Sequence, residues 1–195
     1  MPRTKQRTPE LRDHVLSVAL ALLEHSGIGG FTARGLAREA QTSPPAIYEL
    51  FGDKCGLVRE VFFAGFRLLH THLQEVELSE DPRADLIRLT DAYRGFIRAN
   101  RELAEVMFSR PFADFAPGPS ELEAGSSVRM LIVDRVECCI EAGVLRGEAT
   151  DIAHVLVALT QGLAMAENAR RLGSTEASIE RRWELAVNST LDGMS

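Results

Sequence analysis

Residues 32–54 read TARGLAREAQTSPPAIYELFGDK: two short helical segments across a three-residue break, then the start of a third helix. Ala33, Leu36, Ala37 and Ala40 recur at helical spacing and give the first segment one apolar side. Thr32 stands where an N-cap belongs. Gln41, Thr42 and Ser43 form the break; Ser43 caps the second segment and Pro44 takes its first position, where a missing N–H loses no helical partner. Ile47, Leu50 and Phe51 make the buried side, Gly52 ends the segment and Asp53 caps the next helix. Helices of about eight residues are marginal alone. A pair of this size on a tight turn makes sense as a helix-turn-helix whose second helix is presented to a DNA major groove.

Upstream, Thr8 and Pro9 start a first helix, with Leu11, Val15, Val18, Leu22 and Leu23 on its buried side, and Gly27 stops it. Phe31 is placed to plug the core between these helices. Residues 1–7, with Arg3, Lys5 and Arg7, read either as a tail or as an arm lying along the DNA backbone or in the minor groove.

Downstream, a helix from Lys54 to about Glu77 is apolar over more than one face, through Val58, Val61, Phe62, Phe66, Leu69 and Leu73. Such breadth suits a connector that touches two bodies. Ser79 to Pro82 forms a capped turn before a helix to about Ala99, and a short helix follows over Arg101–Phe108. Pro111, Pro117, Gly118 and Pro119 make a loop of the next stretch. Helices over about 121–142, 151–172 and 175–191 complete an all-helical chain without strand signals or repeats. It divides into residues 1–54, a three-helix bundle carrying the helix-turn-helix, and residues 55–195, a second helical domain.

The chain has 195 residues, of which 45% are hydrophobic and 26% charged, which is ordinary for a globular protein. Its apolar runs are short and interrupted by charge, so no membrane span of about 18 residues is expected. The N-terminal ten residues have no apolar h-region, and three cysteines without Cys-x-x-Cys spacing point to a reduced, cytoplasmic setting. Net charge is −6, unevenly spread: residues 1–54 sum to +1 and residues 55–195 to −7. The acidity is therefore loaded away from the segment that would meet phosphates.

The pieces Phe31-Thr32, Leu36-Ala37-x-x-Ala40, Thr42-Ser43, Ala46-Ile47-Tyr48-x-x-Phe51 and Asp53-Lys54-x-x-Leu57 resemble the DNA-binding segment of the tetracycline-repressor (TetR) family of transcriptional regulators. The resemblance covers about 50 N-terminal residues. The family usually has Gly where this chain has Gln41, and a left-handed turn there costs a non-glycine residue about 1 kcal/mol. The stretches 141–147 and 151–164 are similar, more loosely, to the family's effector and dimerisation domains, a likeness that implies effector binding and dimerisation by residues 55–195.

The resemblance implies a dimeric, ligand-responsive regulator, most simply a repressor, that needs no cofactor and is not an enzyme. Thr42, Ser43, Pro45, Ala46 and Tyr48 fall at the start of the recognition helix. Tyr48 and Lys54 match the family residues that meet phosphates, and Thr32, Arg34 and Arg38 are further backbone candidates. The resemblance also implies an effector pocket, for which Phe62, Phe66, Leu69, His70, Tyr93, Phe96, Met107, Phe108, Phe112, Phe115 and Met165 are candidate lining; an aromatic and Met stripe is more often core packing than pocket, and most of these read as core. Such a lining suits a small apolar or aromatic molecule. Val128, Leu131, Ile132, Arg135, Ala158, Gly162, Ala166 and Ala169 form a face of small and apolar residues, for a subunit interface or for contact within the chain. His70 and His72 point about 200° apart on a helix and do not make a metal pair. Cys138 and Cys139 read as small buried residues, with a redox sensor as the alternative. No catalytic motif occurs. The competing reading is a helical small-molecule binding or interaction protein whose helix-turn-helix does not engage DNA.

Overall fold

The computed structural model describes residues 8–109 and 119–195. Arg3, Lys5, Phe112 and Phe115 lie outside the described residues. Among those described there are ten helices and no strand: α1 (Pro9–Gly30), α2 (Ala33–Glu39), α3 (Pro44–Phe51), α4 (Lys54–Gln74), α5 (Pro82–Ala99), α6 (Arg101–Phe108), α7 (Pro119–Ala124), α8 (Ser126–Glu141), α9 (Ala149–Asn168) and α10 (Glu176–Asp192).

The helix ends have local causes. Thr8, Thr32, Ser43 and Thr175 each accept an N–H bond on their hydroxyl at the start of α1, α2, α3 and α10, satisfying donors that no helical carbonyl reaches. At Gly27 the backbone leaves the helix (φ 61°, ψ −177°), so α1 kinks where the glycine predicts its end and resumes for one short turn. Besides α3, which ends at Gly52 (φ 81°), three helices close on a left-handed residue with a shared backbone bond. After α8 it is Gly143 (φ 71°), after α2 Gln41 (φ 51°) and after α9 Arg170 (φ 57°). In each, the following N–H reaches back to a carbonyl five residues earlier: Val144 to Cys139, Thr42 to Ala37 and Arg171 to Ala166. Arg170 ends α9 at Asn168, short of the expected Leu172, and Gly125 divides the expected 121–142 helix into α7 and α8.

Packing groups the chain into two compact units, Met1–Gly65 with Asn100–Glu121, and Phe66–Ala99 with Leu122–Ser195. The division falls inside α4, whereas the helix-turn-helix motif by itself marks a boundary at residue 54. In the first unit α1 packs on α2 and α6, and α2 on α3. Its core holds Val15, Ala19, Leu23, Phe31, Leu36, Ile47, Val58 and Val61, with Val106 of α6. Each large side chain withdrawn this fully from water contributes about 1.5–3 kcal/mol. Gly65 lets α6 approach closely: a Cβ there would lie 2.5 Å from the Met107 sulfur. In the second unit α5 packs on α8 and α9, α8 on α9, and α9 on α10. Contrary to the expectation from apolar runs, α9 is long and apolar enough to cross a membrane by length and composition alone. Its Ile152, Ala153, Leu156, Thr160, Ala164 and Glu167 are buried within this unit.

The second unit also holds a buried ion network. Arg94 of α5, 5% exposed, donates Nε–H to Glu167 of α9 at 2.8 Å and an Nη1–H to Glu180 of α10 at 2.9 Å. Arg98 approaches Glu167 at 3.1 Å and Glu176 at 3.0 Å. The Arg94 guanidinium lies 4.8 Å from the Trp183 ring centre, and the indole N–H donates to Asp91 at 2.7 Å.

Candidate nucleic-acid interface

The break between α2 and α3 is built as the spacing predicts. Gln41 turns left-handed, Thr42 closes the end of α2, and the Ser43 hydroxyl accepts the Ala46 N–H at 3.4 Å. Ile47 and Phe51 face the core of the first unit, which leaves the other side of α3 outward. Pro45, Tyr48 and Glu49 are exposed there, Tyr48 at 46%. An aromatic ring so open on a two-turn helix contributes little to packing and much to a surface that another molecule can meet.

Tyr48 and Lys54 share one recess, with a volume of about 300 Å³ that includes open solvent, lined also by Phe31, Ala33, Ile47, Asp53 and Leu57. Lys54 is the first residue of α4, so a cationic residue and the positive end of that helix dipole border the same recess. Asp53 brings a carboxylate to the same recess, but its Oδ1 accepts the Gly56 N–H at 2.8 Å and is committed to capping α4. A phenol, an ammonium and a helix N-terminus on one concavity are donors suited to an anion such as a phosphate.

The remaining candidates divide. Thr32 is exposed but spends its hydroxyl on the Gly35 N–H at 3.1 Å. Arg34 is exposed, and Arg38 is paired with its neighbour Glu39 at 3.0 Å. The Thr42 hydroxyl is buried without a hydrogen-bond partner, an expense that native structures rarely carry without cause. Arg12, which the motif does not single out, donates to the Leu50 carbonyl at the far end of α3 and pairs with Glu60 of α4.

Away from this surface, the candidate effector residues belong to different units. Phe62 and Met107 are buried in the first, where Phe108 is half-buried. Leu69, Tyr93 and Phe96 are buried in the second, where Phe66, His70 and Met165 are half-buried. Met107 faces Gly65, and burial raises the Tyr93 hydroxyl above the ordinary tyrosine range. An apolar recess of about 220 Å³, partly open to solvent, lies between α5, α8 and α9. It is lined by Leu86, Leu89, Thr90, Tyr93, Ile132, Leu156, Val157 and Thr160, so among the described residues Tyr93 is the one expected lining residue in it.

The expected interface face also separates. Val128 and Ile132 are 3% and 5% exposed and belong to the core of their own unit, because α8 turns that side toward α5 and α9. Leu131, Arg135 and Ala166 are half-buried, while Ala158, Gly162 and Ala169 are exposed on α9. Val155 lies on the same side of α9, and Leu185 of α10 is 67% exposed; the sequence pattern did not mark either. Cys139 is buried, as expected, against the Pro82 carbonyl, and burial pushes its thiol to about 11. Cys138 is exposed, contrary to expectation, because it is one residue further round the helix.

Comparison with known proteins agrees with this geometry. Residues 15–61 match the family described as bacterial regulatory proteins, tetR family, and residues 86–190 match the tetracyclin repressor-like C-terminal domain. The class C tetracycline repressor protein of Escherichia coli is 27% identical over 187 residues, covering 94% of this chain and 75% of that protein. A solved structure of a protein of unknown function from Rhodococcus sp. RHA1 is 29% identical, with a TM-score of 0.79 over 98% of this chain and 99% of that one. A TetR variant from Acinetobacter baumannii AYE in complex with minocycline is 21% identical, with a TM-score of 0.64 over 92% and 93% of the two chains, a likeness of fold.

Proposed function

We propose a function from this premise: the chain belongs to the tetracycline-repressor family of bacterial regulatory proteins. It is a ligand-responsive, DNA-binding transcriptional regulator. Our reading goes further: it is a cytoplasmic repressor that binds a palindromic operator as a homodimer and is released by a small apolar or aromatic effector. The observation that carries it is the recess shared by Tyr48 and Lys54 beside an outward-facing recognition helix. Phosphate held there fixes register, and the exposed Pro45 and half-buried Ala46 offer apolar contact to thymine methyls.

Dimerisation is supported by the exposed run Val155, Ala158, Gly162 and Ala169 on one side of α9, with Leu185 on α10. A Cβ at Gly162 would meet nothing within 4 Å inside the chain, so its smallness serves no packing within the subunit. A two-fold dimer sets two recognition helices about 34–36 Å apart, matching successive major grooves. For the effector, the apolar recess between α5, α8 and α9 is the candidate site; as packed it is far smaller than most small-molecule sites, so binding there requires these helices to part. Binding there shifts the population toward a form in which α4 no longer holds the recognition helices in register.

Selection from random-sequence duplex DNA, at one stated salt concentration, tests the reading with wild type and Tyr48→Ala in parallel. Enrichment of a palindrome by wild type, weakened in Tyr48→Ala at an unchanged melting temperature, is the expected result. A folded dimer that enriches no sequence at low salt would replace this reading with that of a helical binding protein.

A further inference from the structure

The recognition helix α3 has eight residues, too few to hold its own orientation. Its N-terminal end is fixed by the Ser43 cap and its middle by Ile47 in the core. At its C-terminal end, carbonyls lack helical donors. The Gly52 N–H reaches the Tyr48 carbonyl at 2.7 Å, while the Leu50 carbonyl takes its donor from Arg12 of α1 at 2.5 Å. The same guanidinium lies 4.8 Å from the Phe51 ring centre and pairs with Glu60 of α4 at 2.6 Å. One cation thus ties α1, the end of α3 and α4 together. It sits at the negative end of the α3 dipole, where positive charge is favoured.

We infer that Arg12 is a positioning residue for DNA recognition: it sets the pitch of the recognition helix without touching DNA. This rests on the DNA-binding reading above. Arginine suits the task because its planar fork serves the carbonyl and the carboxylate together, whereas a lysine ammonium is a single point charge. The specific prediction is a loss of discrimination rather than of general affinity, since phosphate contacts depend on Tyr48 and Lys54 while base contacts depend on the angle of α3.

The experiment uses the full chain and the palindromic duplex that wild type selects, against a scrambled duplex of equal length. In Arg12→Met, the preference for the selected duplex should fall about ten-fold, the scale of one charge-assisted hydrogen bond, with scrambled-duplex affinity unchanged. Amide exchange from Tyr48 to Gly52 should quicken about ten-fold relative to α9 on the same scale. Arg12→Lys should fall between wild type and Arg12→Met on both readouts, and Glu60→Gln, which keeps the Leu50 bond, should retain most of the preference. An equal fall on both duplexes, with a salt slope reduced by about one phosphate, would make Arg12 a direct contact and overturn the inference. Unchanged preference in a fully folded Arg12→Met would leave Arg12 a stabilising residue only and equally overturn it. If wild type selects no duplex, the DNA-binding reading falls and the inference with it. Selection by wild type with unchanged α3 exchange in Arg12→Met sinks the inference alone.

Discussion

Replacing Arg94 by Met should destabilise the second unit severely, by about 3 kcal/mol. Arg94 and Glu167 are 5% and 7% exposed and bonded at 2.8 and 3.4 Å. Breaking such a pair costs about 3–5 kcal/mol because the surviving charge stays buried without compensation. Two features hold the figure to the lower end. Glu167 keeps Arg98 at 3.1 Å, and the Glu180 side chain, 48% exposed, rehydrates. Loss of the contact with Trp183 adds a smaller amount. In a chain of this size, about 3 kcal/mol lowers the melting temperature by roughly 6–12 °C. Urea unfolding read by the fluorescence of Trp183, the one tryptophan in the chain, follows this unit, with circular dichroism as a second probe. The decisive variant is Arg94→Met with Glu167→Met, which removes both buried charges and should recover to within about 1 kcal/mol of wild type. A cost below about 1 kcal/mol for Arg94→Met, or a double variant less stable than the single one, would refute the claim that an uncompensated buried charge dominates.

Two further outcomes follow from single positions. Gln41→Gly should raise stability by about 0.5–1 kcal/mol in urea unfolding, since φ 51° strains a side chain and glycine's extra freedom when unfolded offsets part of the gain; a loss would mean that the contacts of the Gln41 side chain outweigh the strain. Asp91 has its pKa raised chiefly by burial, against the Trp183 N–H that lowers it. The native state therefore binds its proton more tightly than the unfolded chain does, and its contribution is present at low pH and lost as pH rises through the raised value. Asp91→Asn should remove that decline, so the melting-temperature difference, wild type minus variant, should fall as pH rises from the ordinary carboxylate range; a difference that grows instead would reverse the assignment.

Residues 32–54 alone settled the helix-turn-helix, because each of its signals acts within about four residues. Thr32 and Ser43 cap their own helices, Pro44 starts α3, Gly52 ends it at φ 81°, and Asp53 caps α4. Periodicity likewise located the helices and named Ile47, Phe51, Val58 and Leu69 as buried. Tertiary structure decided what lies beyond that reach. Gly143 and Arg170 close their helices in the same way, yet only glycine announces a left-handed residue. Val128 and Ile132 were legible as apolar, but not that they face their own core while Val155 and Leu185 face out; an apolar stripe specifies a face and not its partner. Arg12 and Leu50 are 38 residues apart, and Arg94 and Glu167 are 73. In the linear chain these charges are indistinguishable from solvated ones, because whether a charge must be paired depends on its distance from water, which exists only after the helices have packed.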